Sequence, residues 1–280
     1  MKPMDLPLRR SAGSRPVAVD RLRGGRAIAT QDCVAEEVPV ALEYNGVSHA
    51  VMLATPADLE DFGLGFSLTE DIVDRASDIR GIDVVAGPHG ITVRIDVASA
   101  CFVRLKERRR NLAGRSGCGL CGMESLPEAV RAPPVLRSAA AFPAHTLLDA
   151  LHALRGGLQP LHEATGATHA AGFGDASGQL LLVREDVGRH NALDKLIGAL
   201  VREGHDVARG FIVSSSRASY EMASKTARSG ATLLAAVSGV TGLAIDLAQA
   251  AGLALVGFAR GDAMSIYSHA ERVLWDRSHG

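Results

Sequence analysis

Cys118 and Cys121 stand two residues apart in Gly117-Cys118-Gly119-Leu120-Cys121-Gly122, with glycine on the outer side of each. From Arg108 to Gly122 there are four arginines, four glycines and no acid. Cationic neighbours favour thiolate over thiol, and thiolate is the form that attacks sulfur. A glycine-rich chain is costly to order, so the spacing predicts an exposed, mobile loop carrying a paired thiol. Structural zinc is the competing reading. It normally takes four protein ligands, and this pair supplies two. Cys33 and Cys101 are single and remote, and read as buried small side chains. No histidine sits at zinc-finger spacing, so no structural metal is expected.

Three further stretches pair an apolar run with a polar turn. In the first, Arg184-Glu185-Asp186-Val187-Gly188-Arg189-His190-Asn191 lies between a strand and an amphipathic helix. Open sheets bind ligands outside such strand ends. Free N–H groups at a helix start favour anions, and Arg189 would add a bidentate phosphate clamp. His190 could shift protons, and Asp186 or Glu185 could accept from a base or orient an arginine. The competing reading is a cap with surface ion pairs.

The second is Ser214-Ser215-Ser216-Arg217-Ala218-Ser219, whose hydroxyls, Ser214 and Ser216 above all, suit phosphate or ribose contacts. Turn and capping hydrogen bonds alone are an equal alternative. The third is Phe258-Ala259-Arg260-Gly261-Asp262-Ala263, where Arg260 could hold a phosphate and Asp262 a guanine edge, against a plain hairpin turn. Thr168 and His169 precede the first strand of this half and could line the same crevice. Lys225, in mid-helix, reads as solvated. No G-x-G-x-x-G, Walker lysine or H-E-x-x-H motif is present. Together the strand ends suggest one crevice for an anionic, nucleotide-like ligand, with sulfur delivered into it by the cysteine pair.

The elements that position these groups divide in two. Residues 26–30 and 36–44 read as strands, and Asn45-Gly46 then 49–54 as a hairpin. Residues 59–68 carry acids in a first helical turn. Residues 79–85 and 91–97 flank Gly87-Pro88-His89-Gly90, a second hairpin. A basic segment, 99–112, closes this region, and Pro127, Pro133 and Pro134 mark a linker. Beyond it strands and helices alternate, which implies a sheet covered on both faces. Its first pair should be antiparallel and its later strands parallel. Residues 192–201 form a clear apolar helical stripe.

Of 280 residues, 47 % are apolar, enough for a sizeable core, and the net charge of -1 argues against general nucleic-acid affinity. No apolar run reaches membrane-span length, and the basic start lacks a signal-peptide core. A cytoplasmic protein with no membrane or nucleic-acid partner is expected.

Several of these runs resemble the formate dehydrogenase accessory sulfurtransferase family. They are Ser116 to Gly122, Thr168-His169-Ala170-Ala171, Arg184 to Lys195, Tyr220-Glu221-Met222 with Lys225, Gly257 to Gly261, and Ile266-Tyr267-Ser268-His269. The resemblance implies an α/β protein: a cytidine-deaminase-like three-layer domain preceded by a smaller strand-rich α+β domain. The expected division is a disordered tail at 1–18, a strand-rich domain at 19–112, a CxxC loop and linker at 113–134, and the cofactor-binding domain at 135–280. It implies a sulfurtransferase that takes persulfide sulfur from a cysteine desulfurase on Cys118. The acceptor would be the bis-molybdopterin guanine dinucleotide cofactor of formate dehydrogenase. Residues Phe258 to Ala263 would bind that cofactor, guanine nucleotide would mimic it, and the protein would be a homodimer. The alternative is a non-catalytic cofactor chaperone whose cysteines hold a metal or dock a partner. The zinc-deaminase signature is missing, so deaminase chemistry is not expected.

Overall fold

A computed structural model describes residues 13–113 and 133–275. Cys118 and Cys121 lie outside the described residues.

The chain begins with a two-stranded antiparallel ribbon, β1 (Ser14–Arg23) and β2 (Arg26–Ala35). Gly24 and Gly25 turn it, both at positive φ. Residues 14–18, expected in a disordered tail, are instead paired in register with 31–35 of β2.

A four-stranded sheet follows, built from β3 (Val38–Tyr44), β4 (Val47–Ala54), β5 (Ile79–Gly87) and β6 (Gly90–Val97) in the order β4-β3-β6-β5. Both expected hairpins form. Asn45 and Gly46 take positive φ (46° and 80°), which suits a tight two-residue connection. Helix α1 (Leu59–Thr69) lays Phe62 and Phe66 on Val40, Leu42, Tyr44, Val93 and Ile95 of the sheet. The basic segment is also helical, α2 (Ser99–Ala113). Its charges hid an i, i+4 pair, Cys101 and Leu105, which is buried in this core. Cys33 and Cys101 are both buried, as expected.

The second half contains β7 (Phe142–Pro143), α3 (Ala144–Arg155), α4 (Pro160–Thr165), β8 (His169–Gly174), β9 (Leu180–Asp186) and α5 (Arg189–Arg202). These are followed by β10 (Phe211–Ser214), α6 (Tyr220–Ser229), β11 (Leu233–Ala236), α7 (Gly242–Ala251), β12 (Ala254–Arg260), β13 (Ala263–Ser268) and β14 (Val273–Leu274). Six strands make one sheet in the order β13-β12-β11-β10-β8-β9. As expected, β8–β9 is antiparallel and β10, β11 and β12 are parallel. Helices α5, α6 and α7 pack on one face of this sheet, and α3, β7 and β14 on the other. The result is a three-layer α/β arrangement.

The two halves meet where α1 crosses α5. A Cβ on Gly65 would lie 1.8 Å from the Asp194 carbonyl oxygen, and one on Gly198 would lie 1.9 Å from that of Asp61. Both positions are therefore glycine because two backbones touch. With the sheet on one side and α1 on the other, α5 is buried along most of its length, Asp194 and Lys195 included. Among the described residues no helix is long and apolar enough to cross a membrane.

Candidate functional site: a cationic crevice at the strand ends

Because β8 runs antiparallel to β10, its first residue shares one sheet edge with the last residues of β9, β10, β11 and β12. Backbone bonds lace this edge together. Ser215 N donates to Ala170 O (3.0 Å), Ser238 N to Ser216 O (3.4 Å) and Phe258 N to Ser238 O (3.0 Å). An open pocket of about 570 Å³ lies beside it, lined among others by Arg155, Gln159, His162, His169, Ser215 and Val237. Gly188 caps α5, so Arg189 and His190 open that helix next to His169.

Positive charge is concentrated here. Burial holds the His169 imidazole below its ordinary pKa, and Arg189, His162 and His190 push it the same way. The Arg189 guanidinium is likewise held down, first by burial and then by Arg217, with Glu221 opposing. Its Nε is buried with no partner among the described residues. Glu221 Oε2 lies 2.8 Å from His190 Nε2. That hydrogen bond holds Glu221 below the usual carboxylate range against burial, helped by the nearby charges of Lys225 and Arg189. Two guanidiniums and three imidazoles facing one crevice, with one carboxylate answering them, make a site that favours an anion.

Several residues expected to bind ligand point inward instead. Asp186 is fully buried. Its carboxylate accepts from Thr55 N (3.0 Å), Gly188 N (2.8 Å) and Asn191 Nδ2 (3.0 Å). Lys195 Nζ is 2.7 Å away and also donates to the Thr55 carbonyl. Asp186 thus ties the α5 turn to the end of β4 and presents nothing to the crevice. Ser214 and Ser216 are buried, with their hydroxyls 3.0 Å apart and Ser216 donating to the Arg217 carbonyl. The turn-bond alternative holds for both. The middle serine, Ser215, faces the pocket, as strand alternation requires.

Thr168 lines the pocket, but its hydroxyl donates to Glu185, which also accepts from the Leu161 and His162 amides at the start of α4. Lys225 is buried, not solvated. It bonds both Asp194 oxygens, Glu70 and Thr69. Burial alone would lower its pKa; the Asp194 and Glu70 carboxylates outweigh that and raise it.

The run 258–263 forms the tip of the β12–β13 hairpin. Phe258 is 46 % exposed with φ +51°, beside a register shift in β12, and its ring lies over Gly239. Ala259 is buried, whereas Arg260, Gly261, Asp262 and Ala263 are exposed. Positive φ in a bulky residue is strained, and such strain gathers at functional sites.

Arg217, Ser215, Arg155 and Glu221 were not singled out from the sequence. Arg217 and Ser215 sit inside a run that was, and alternation identifies Ser215. Nothing local marks Arg155 or Glu221, which reach the site through the placement of whole helices. Among the described residues no group of three or more His, Cys, Asp or Glu is disposed to hold a metal ion.

Fold and site together define an α/β protein with an anion-favouring crevice at the carboxyl ends of parallel strands. The sequence model of the FdhD/NarQ family matches residues 35–274, and the chain belongs to that family. It is 57 % identical over 258 residues to the sulfur carrier protein FdhD of Bordetella petrii, covering 91 % of this chain and 92 % of that one. It is 55 % identical over 261 residues to the sulfur carrier protein FdhD of Cupriavidus necator, covering 93 % and 90 %. The fold matches a crystal structure from Desulfotalea psychrophila, provisionally assigned as a formate dehydrogenase accessory protein. The TM-score is 0.71 at 22 % identity, over 94 % of this chain and 100 % of that one.

Proposed function

We propose that this chain carries sulfane sulfur as a persulfide on Cys118. A cysteine desulfurase donates the sulfur, and the acceptor is a molybdenum cofactor of the bis-molybdopterin guanine dinucleotide form, destined for formate dehydrogenase. The crevice chemistry carries this reading. Arg189 and Arg217 crowd each other next to three imidazoles, and a ligand bearing phosphates relieves that repulsion. The curated relatives' description as sulfur carriers supports the sulfur chemistry, and the accessory-protein likeness supports the client.

In this reading the exposed Phe258 ring stacks on a flat heterocycle of the cofactor. Arg260, Gly261, Asp262 and Ala263 flank it at the hairpin tip, above the buried Ala259. Arg189 and His190 meet phosphate from the first turn of α5, and Cys121 assists Cys118 or resolves it as a disulfide. The half from 135 to 280 is the cytidine-deaminase-like unit. Residues 113–134 are the delivering loop between it and the unit at 19–112, and two copies work together in the cytoplasm.

Incubation with a desulfurase and cysteine is expected to add the mass of one sulfur atom to the Cys118 peptide. Cys118→Ala should abolish that addition and leave co-produced formate dehydrogenase inactive. If Cys118→Ala and Cys121→Ala both support full client activity, the non-catalytic chaperone reading replaces this one.

A further inference from the structure

The crevice has two chemically distinct sides. Resting on the reading above that a nucleotide-like ligand enters it, we propose that the pocket between α3, α4 and β8 holds a 2-amino-4-oxo-pyrimidine ring while Arg189 and Arg217 hold its phosphates, with Gln159 and His162 selecting the ring.

The selecting atoms are set by bonds made behind them. Gln159 is 4 % exposed. Its Nε2 donates to the Leu154 carbonyl at 2.9 Å, which fixes the orientation of the amide. Its Oε1 is left as a buried acceptor with no partner among the described residues, in a side chain that lines the pocket. Such an atom is costly to leave unpaired and gains when a ligand N–H arrives. His162 Nδ1 lies 2.8 Å from the Thr168 carbonyl. A carbonyl only accepts, so Nδ1 carries the proton and Nε2 of the neutral ring is an acceptor. Donors stand near them. The Ser215 hydroxyl oxygen already accepts from Ala170 N at 2.8 Å, which leaves its proton to give, and Arg155 adds a guanidinium.

The pocket therefore offers two acceptors and two donors. A 2-amino-4-oxo ring presents two adjacent N–H donors and one carbonyl, which this set answers. Adenine reverses part of that pattern. Removal of the 2-amino group, as in hypoxanthine, leaves an acceptor idle. The volume of about 570 Å³ suits such a ring with its sugar. The guanidiniums of Arg189 and Arg217 stand outside the set of pocket-lining residues, on the α5 side, where the phosphates would lie. Guanine and pterin share this ring edge, so ligands of both kinds enter the test.

Calorimetry on the full chain with GDP, IDP, guanosine and free pterin reads the orientation directly. GDP is expected to bind about tenfold or more tightly than IDP, for one buried hydrogen bond to the 2-amino group. In Gln159→Leu the two should come within about twofold. Arg217→Ala should weaken GDP about tenfold and leave guanosine nearly unchanged. Whichever of guanosine and pterin loses affinity in Gln159→Leu is the occupant of the pocket. Equal binding of GDP and IDP by the unaltered protein overturns the proposal without reference to any variant's folding. GDP binding that ignores Gln159→Leu in a variant with unchanged near-UV circular dichroism also overturns it, while Cys118 persulfidation and the crevice reading survive. If the unaltered protein binds neither GDP nor pterin, the crevice assignment of the proposed function falls as well.

Discussion

Asp186 and Lys195 form a fully buried pair whose every contact is structural. A buried ion pair adds little net stability, yet loss of one member strands the other in a dry interior. Lys195→Met is expected to cost about 3–5 kcal/mol in urea unfolding, and Asp186→Asn combined with it should recover part of that. His169 gives a second residue-level expectation. Its pKa lies below 6.5 in the free protein, because burial and the cations around it disfavour a further charge. An anionic ligand would favour that charge and raise the pKa. Binding should then take up a proton, and affinity should rise as pH falls from about 6.5. Calorimetry in buffers of different ionisation enthalpy checks this, and pH-independent affinity would contradict it. Neither the inward turn of Asp186 nor the burial of Lys225 is legible locally. A polar residue at a strand end looks the same from the sequence whichever way it faces.

At the scale of elements, the α1–α5 crossing is the tightest joint. Gly198→Ala would drive a methyl group into the Asp61 carbonyl. It is expected to lower stability by about 3 kcal/mol, the upper end for overpacking, because backbone rather than a side chain must move. Thermal unfolding reads it, and an unchanged midpoint would refute the close approach. The apolar stripe of α5 was visible from its periodicity. The glycines of α1 were visible too, but only as a dilution of its apolar face. What they admit is another helix more than a hundred residues later. Helix α2 was missed because only its buried pair, Cys101 and Leu105, speaks for packing amid many charges.

For the whole molecule, a ring of buried charges closes the joint between the halves. Thr55 meets Asp186 and Lys195, Thr69 and Glu70 meet Lys225, and Arg184 and Arg202 converge on Asp61. Residues 135–280 produced alone would leave Asp194, Lys195 and Arg184 without partners or cover. That fragment is expected to lose near-UV circular dichroism and bind hydrophobic dye, whereas an ordered fragment would show the joint to be dispensable. The alternation of strands and helices, both hairpin turns and the polar strand ends were determined by the sequence itself, because each rests on neighbours within a few turns of chain. The tertiary structure alone decided which polar groups line the crevice and which lock the halves together. Burial belongs to two surfaces once they meet, and here those surfaces come from segments as far apart as Thr55 and Lys195.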